Sequence, residues 1–562
     1  MPSPTTHHAR RWLRPAYALL FPLVLAACSG GGDDAEGATA PPSADTPSPA
    51  PGANMPAPAP AVPVTPYAAA RFADQASFGA TPALVADIQS KGFERWIDEQ
   101  FALPVSQIDG SAIAQYDSQV GNAGAYAWNY GTARLHASLI DAPDQLRRRV
   151  SWSLSQFIVT AMNKIEPYGS LTWSNLLQRQ AFGNYGTLLR ATATSPAMGW
   201  YLDNLSNRPT SRECSWCAPN ENYARELMQL FALGVVELNI DGSVRRDAAG
   251  KPIETYTQTD VEELARALTG WRVNGNFDHT NYRRYDGELI PDPWSAAHDR
   301  GAKTVLGQSF PANAGAAEEL DAVVKLLMGH RNIAPFVSLR LIQHLVTSDP
   351  SPAYVARVAT VFRNNGQGVA GDMRAVIKAV LLDPEARRGD TPGLESNGFG
   401  KMREPVLWYT GLLRGLGCRE PLRWNDGVDA SLAIPAQRPY DPASVFSFYL
   451  PTDRAPGSNL LAPEQRLLNA EELSWRLNTS IANGVLRPAT GCDASAFGRA
   501  FSSSPAAFAD LVSQRYFRGA MPAPLRQSLI DLAPTLWGST PDHKAINLLQ
   551  FALASPYYGV IR

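Results

Sequence analysis

The chain has 562 residues, 45% of them hydrophobic and 18% charged, with 50 basic against 52 acidic side chains and a formal net charge of −2. No excess of Lys and Arg exists to neutralise phosphates, which argues against a nucleic-acid binder. The apolar fraction suffices for a core, which excludes a disordered chain, and the five cysteines are too few for a disulfide scaffold.

The first 27 residues read as an export signal. Arg10, Arg11 and Arg14 form a basic region, Ala16 to Ala27 is apolar apart from one Pro, and the run ends in Leu25-Ala26-Ala27-Cys28. An apolar stretch of about a dozen residues is too short for a span, which needs roughly 20. Small residues before a Cys form a lipobox, so cleavage before Cys28 and lipidation of its thiol are expected. Ser29 at the next position favours sorting to the outer membrane. Arg10-Arg11 also has the look of a twin-arginine signal, although Arg14 stands where that motif wants an apolar residue. Residues 28–66 follow as a tether: Ser29 to Pro66 holds 10 prolines and no aromatic residue, a composition that cannot offset its own ordering entropy. Its reach is on the order of 100 Å.

Residues 67–562 read as a mainly α, multi-helix body. Thr81-Pro82 supplies an N-cap and a first-turn Pro, Leu84 and Ile88 share a face, and Gly92 closes the helix. Phe93, Trp96, Ile97 and Phe101 repeat at helical spacing. A long amphipathic helix is expected from Leu146 to Val159, with Arg147, Arg148 and Arg149 spread over different faces. Val235-Val236, the turn Asn239-Ile240-Asp241-Gly242 and Val244 read as a hairpin. The predicted capping box of the next helix is Thr259 with Glu262, followed by Val261, Leu264 and Leu268 and ended by Gly270. The stretch from Trp271 to Phe310 is rich in Gly, Asn and Asp, so a small β-rich or irregular insertion is expected near 235–310. Ser351-Pro352 and Asp372 open two more helices, and others are predicted over 405–414, 463–477, 505–516 and 543–553.

Several runs resemble a bacterial family. They are Arg71-Phe72-Ala73 with Ala76 to Pro82, then the signature-like run from Pro219 to Gly234 (PNENYARELMQLFALG), then Ala265 to Trp271, His298-Asp299 with Lys303-Thr304, and Pro439 to Tyr449 with Ala462-Pro463-Glu464. In this order they are similar to the exported proteins named domain of unknown function 1800, from about residue 70 onward. The resemblance implies an exported helical protein, often encoded beside a secreted partner family named domain of unknown function 1501. The chain departs from many such proteins by inserting Arg212 to Cys217 just before the signature run.

Within that run Tyr223, Leu227, Leu230 and Phe231 form an apolar face, and Glu221, Arg225 and Gln229 form a polar one. Glu226 borders the apolar face, so a partly buried carboxyl is expected there. Such a group either pairs with an Arg to fix packing or shifts its pKa upward, which is how a general acid is made. His298 beside Asp299 has the makings of a general base held on a loop. His330 and His344 read as ordinary satisfied histidines. No H-E-x-x-H, G-x-S-x-G, P-loop or dinucleotide fingerprint occurs, so no metal and no cofactor are assigned.

The four cysteines after Cys28 form an even set, which pairs in an oxidising compartment. The expected bridges are Cys214 to Cys217 and Cys418 to Cys492, with a redox-active pair at Cys214 and Cys217 or a four-thiolate zinc site as alternatives. Two functional readings follow. The first is an outer-membrane-anchored lipoprotein, facing periplasm or surface, that acts as a binding or assembly component with a secreted partner and meets the membrane through its lipid alone. The second is a hydrolase or lyase on envelope or extracellular polymer, with Glu226, His298 and Asp299 converging across one cleft.

Overall fold

Local capping rules set most of the helix starts. In the computed structural model, which describes residues 63–120, 124–275, 282–394, 398–418, 436–478, 484–486 and 491–562, a Thr or Ser followed by Pro repeatedly opens a helix. Thr65, Thr81, Ser351 and Ser504 each accept a hydrogen bond from the backbone N–H three residues on, with Pro next in the chain. The hydroxyl satisfies a first-turn donor and the ring presets φ, so each start is fixed before any tertiary contact forms. The signal segment, Cys28 and nearly all of the tether lie outside the described residues.

The fold is mainly α, with only small two-stranded sheets among the described residues. No described helix is long and apolar enough to cross a membrane. At the centre lies the helix Gln145–Ser155, every residue of which is buried. It differs from the expected amphipathic helix in having no solvent face, and it stops at Ser155 rather than Val159. The three arginines do project in different directions, and each is drawn to main-chain carbonyl groups. Arg147 donates to Leu103 and Gln178, Arg148 to Ser106 and Arg149 to His344. Asp144, just before the helix, lies 3.5 Å from Arg147 and 3.8 Å from Arg148.

The predicted β region mixes turns and helix. The Asn239–Gly242 turn closes a hairpin carrying the Leu238–Val244 bridge, and a second turn at Asp247–Gly250 returns the chain to pair Val236 with Glu254. The helix Gln258–Ala267 follows, capped by Thr257 with Asp260 instead of Thr259 with Glu262. Asp260 completes that box while its other oxygen takes the N–H of Leu306, a tertiary bond that selects between two similar local signals. Strands Trp271–Arg272 and Ile290–Pro291 pair, as do Lys303–Val305 and Gln308–Phe310. The predicted helix over 463–477 is interrupted: a short 3-10 turn, Pro463–Leu467, precedes the helix Ala470–Arg476, which Asn469 caps. Both expected disulfides, Cys214–Cys217 and Cys418–Cys492, are formed.

Candidate functional site

The run from Asn220 to Gly234 begins with a side-chain clamp. Asn207 Oδ1 accepts from Asn220 N at 2.7 Å and Asn207 Nδ2 donates to Asn220 O at 3.3 Å, while Asn220 Oδ1 accepts from Asn222 N. The α-helix Asn222–Glu226 then widens into a π-turn over Leu227–Ala232. Its buried positions are Tyr223, Leu227 and Phe231 with Ala224, Met228 and Ala232, a strict spacing of four that a wider turn accommodates better than 3.6 residues per turn does. Leu230, predicted on the buried face, is only half-buried. Tyr185 OH donates to Phe231 O at 2.6 Å and Asn332 Nδ2 to Leu233 O at 2.9 Å, so outside side chains take up carbonyls at the irregular end of the helix.

Glu226 sits at the α-to-π junction, half-buried, with Oε2 enclosed and without a hydrogen-bond partner. Burial pushes its carboxyl from the ordinary 4.5 up to about 7, against an opposing pull from Arg225. That arginine is engaged elsewhere, donating to Glu221 at 2.7 Å and Gln258 at 3.0 Å. The packing-type ion pair on this helix is therefore Glu221–Arg225, and Glu226 stands outside it. Tyr201 and Tyr256 are close enough for the Glu226 charge to act on them: burial, helped by that charge, raises the Tyr201 phenol to about 12, and burial raises Tyr256 to about 12 against Arg225, with a smaller push from Glu226. Tyr223, three residues before Glu226 on the same helix, is 1% exposed and its hydroxyl also lacks a partner.

Beside this helix Lys164 Nζ donates to Tyr201 O at 2.7 Å and Asp203 Oδ1 at 2.9 Å, and Asn222 Nδ2 donates to Asp203 Oδ2 at 2.9 Å. Two residues after Lys164, Glu166 holds φ 60° and ψ 166°, a region costly for any residue with a Cβ. Its carboxylate is paired with Arg284, whose guanidinium lies 4.8 Å from the ring centre of Tyr285. Pro167 follows and breaks the helix there, which is how the local sequence tolerates the kink.

His298 and Asp299 belong to a second cluster. Gly270, at φ +86°, lies so close to His298 that a Cβ would come within 2.7 Å of its Cβ. His298 Nδ1 donates to Thr269 O at 2.9 Å, leaving Nε2 bare and 3.5 Å from Glu319 Oε2. Burial depresses the imidazole and keeps it neutral. Both oxygens of Asp299 are held by Arg266, at 2.8 and 3.1 Å; burial opposes its ionisation, but the guanidinium keeps the carboxyl below its usual range. Lys303 donates to Asp299 O, Gly301 O and Glu319 Oε1, the last at 2.8 Å. The structure thus brings His298, Asp299 and Lys303 together, with Arg266 and Glu319 added. No hydrogen bond, ion pair or charge interaction among the described residues joins Glu226 to His298 or Asp299. The two groups touch opposite ends of the helix Gln258–Ala267, through Gln258 and Arg266, about 12 Å apart along its axis.

Sequence reasoning missed a third, fully buried network. Lys401 Nζ donates to Glu404 Oε1 at 2.8 Å and His344 O at 3.1 Å and lies 3.4 Å from Glu464, which accepts from Ser348 Oγ at 2.8 Å. Gln437 Nε2 donates to the other oxygen of Glu404 at 2.6 Å. Burial opposes ionisation of Glu404, but Lys401 and Arg149 hold its carboxyl down to about 2. His344, packed between Phe157 and Tyr449, is pushed down to about 3 by burial, and its Nδ1 has no partner, unlike the satisfied histidine expected. Ser348 and Lys401 also line a cavity of about 400 Å³ bounded by Gly398, Phe399 and Leu460. The only hints in sequence were the charges within Lys401-Met402-Arg403-Glu404-Pro405 and Ala462-Pro463-Glu464, which look like surface runs until the chain is folded. Among the described residues no group of three or more His, Cys, Asp or Glu is arranged to hold a metal ion.

Compared with known proteins, residues 71–560 match the model of a family described as "Protein of unknown function (DUF1800)". No curated protein and no solved structure gives a significant match.

Proposed function

The chain belongs to the DUF1800 family, and on that premise we propose that it is an exported lipoprotein, anchored to the outer membrane through Cys28, that acts as a binding or assembly component with a secreted partner. The observation that carries the reading is Trp216. It is 82% exposed at the tip of the loop closed by Cys214–Cys217. The loop is held further by Thr210 Oγ1 donating to Cys217 O and by Ser211 Oγ accepting from Cys214 N. A large aromatic side chain on a braced loop is the kind of group that dominates protein interfaces, because little freedom remains to be lost on binding. The internal pairing of Asp299, Lys303, Lys401 and Glu404 supports the same reading, since these charges serve the fold. The partner proposed is a secreted protein of the domain of unknown function 1501 family. The test is the affinity of the purified lipid-free body for that partner. Trp216→Ala is expected to weaken it at least about tenfold, the usual effect of removing an anchor, and an unchanged affinity would sink the reading.

A second reading, a hydrolase or lyase on envelope or extracellular polymer, is favoured by one observation: the carboxyl of Glu226 is free of an Arg partner and half-protonated near neutrality. Such a group suits a general acid. Release of reducing ends from purified envelope polysaccharide, abolished in Glu226→Gln, is its expected signature.

A further inference from the structure

The hairpin that joins Lys303–Val305 to Gln308–Phe310 has one covered edge and one open edge. Its turn, Leu306-Gly307, holds both residues at positive φ, 50° and 75°, the tight two-residue kind. Such a turn makes Val305 and Gln308 a hydrogen-bonded pair, so the backbone groups of Thr304 and Ser309 point away from each other. Thr304 N accordingly donates to Glu263 Oε2 at 3.1 Å, on the helix Gln258–Ala267. Ser309, on the other edge, has no such neighbour. Its carbonyl takes only the adjacent side chain, Gln308 Nε2 at 3.3 Å, and its N–H meets no acceptor among the described residues.

That open edge borders a cavity of about 630 Å³. Gln308, Ser309 and Phe310 all line it, which sets it against the edge of the strand, because successive side chains alternate between the faces. The facing wall is the helix Ala316–Gly329, through Ala322, Leu326 and Gly329 at helical spacing. Phe310 and Leu326 give it an apolar floor. Cations gather where this helix ends. Lys325 is exposed and, among the described residues, has no ion-pair or hydrogen-bond partner. His330 Nδ1 accepts from Asn332 N at 3.2 Å, so the ring proton is on Nε2, which has no partner among the described residues either. Arg331 lies 3.9 Å from Glu237, a carboxylate already held by Arg245. No acidic side chain lines the cavity among the described residues. An open strand edge pairs with backbone, an apolar floor takes side chains, and grouped donors suit one carboxylate; the end of an extended polypeptide carries all three. We infer that the groove between Gln308–Phe310 and Ala316–Gly329 docks the carboxy-terminal segment of a partner polypeptide, which adds a third strand at Ser309 and sets its terminal carboxylate among Lys325, His330 and Arg331. The inference goes beyond the interface proposed at Trp216 and uses none of its residues.

The experiment selects ligands on the purified protein from a library of acetylated pentapeptides of β-branched and aromatic residues, made once with free carboxyl ends and once amidated. Retained peptides are identified by mass and titrated by calorimetry, with dodecanoate and inorganic phosphate as the fatty-acid and simple-anion comparisons. At least one free-carboxyl peptide is expected to bind with a Kd below about 1 mM, and its amide at least about tenfold more weakly. Lys325→Ala is expected to weaken binding about tenfold by removing a charge-assisted donor. Ser309→Pro deletes the outward N–H at an edge position, where proline is tolerated, and should cost about tenfold with Tm unchanged. The ligand supplies a check that does not depend on the variant folding: N-methylation of alternate peptide amides should weaken binding in one register and spare it in the other, as strand pairing requires. Trp216→Ala should leave peptide binding unchanged, which separates this groove from the proposed interface. Five outcomes would overturn the inference: no retained peptide, equal affinity for the amides, wild-type affinity in both Lys325→Ala and Ser309→Pro, N-methylation without register dependence, or tighter binding of dodecanoate or phosphate than of the best peptide.

Discussion

Glu226 carries a stability signature that its neighbours lack. Its carboxyl titrates near 4.5 when the chain is unfolded and at about 7 when folded, with burial as the main cause. A raised folded pKa means that stability is fully present below pH 4.5, where both states hold the proton, and is lost as pH rises to 7. For a partly exposed group the loss is on the order of 2 kcal/mol. Glu226→Gln is therefore expected to match wild type in urea unfolding near pH 4 and to exceed it by about that amount near pH 8. Gly270 gives a prediction of the opposite kind. Alanine there meets both a positive φ and the His298 Cβ at 2.7 Å, so Gly270→Ala is expected to lower stability by about 3 kcal/mol or more, read from the urea midpoint. At this scale the site was half legible in sequence. The spacing of Tyr223, Leu227 and Phe231 announced a buried face and placed Glu226 at its border. It did not announce Tyr201 or Tyr256, which feel the Glu226 charge from positions 25 and 30 residues away. His298 and Asp299 were visible as a pair, whereas Glu319, which faces both His298 and Lys303, comes from another helix and left no local mark.

Helices were the most legible elements, because their starts are decided by two or three adjacent residues. Thr81-Pro82, Ser351-Pro352 and Asp372 each open a helix at the expected place. Errors arose where tertiary bonds chose between local options, as when Leu306 N selected Asp260 and with it the Thr257 cap. The helix Gln145–Ser155 reads in sequence as amphipathic, because Arg147, Arg148 and Arg149 look solvent-bound, yet it is buried on every side. Sequence cannot show that four carbonyl groups from three other segments take the place of water around them. The two disulfides differ as elements in a calculable way. Cys214–Cys217 closes a loop with a separation of 3, and Cys418–Cys492 one with a separation of 74. Loop-closure entropy assigns about 2 kcal/mol to the first and about 4.5 to the second. Replacing Cys418 and Cys492 by Ala should thus lower the urea midpoint roughly twice as far as replacing Cys214 and Cys217, which should alter partner affinity more than stability.

Across the whole body, distant segments are fastened by buried ion pairs. Arg71, on the helix Pro66–Ala76, donates to Ala386 O at 2.5 Å, Asp390 Oδ1 at 2.9 Å and Arg562 O at 2.6 Å. One turn on, Asp74 accepts from Arg518 at 2.7 Å and Arg403 at 3.3 Å. Breaking one partner of a buried pair strands the other, so Arg71→Met is expected to lower stability by about 3–5 kcal/mol. Hydrogen exchange should show amides of Pro66–Ala76 and of the paired strands Lys401–Met402 and Val560–Ile561 losing protection together. Protection lost only in the first helix would show that the fastening is local. These contacts also set a timetable. Arg71 finds Ala386 across 315 residues and Asp74 finds Arg518 across 444, and closing such loops precedes any reward from the contact. The first helix of the body must therefore wait, with its charges unmatched and its alanine face uncovered, until nearly the whole chain has emerged. Such a protein reaches its final form late and all at once, and during that interval it is a client for whatever holds unfolded chains apart.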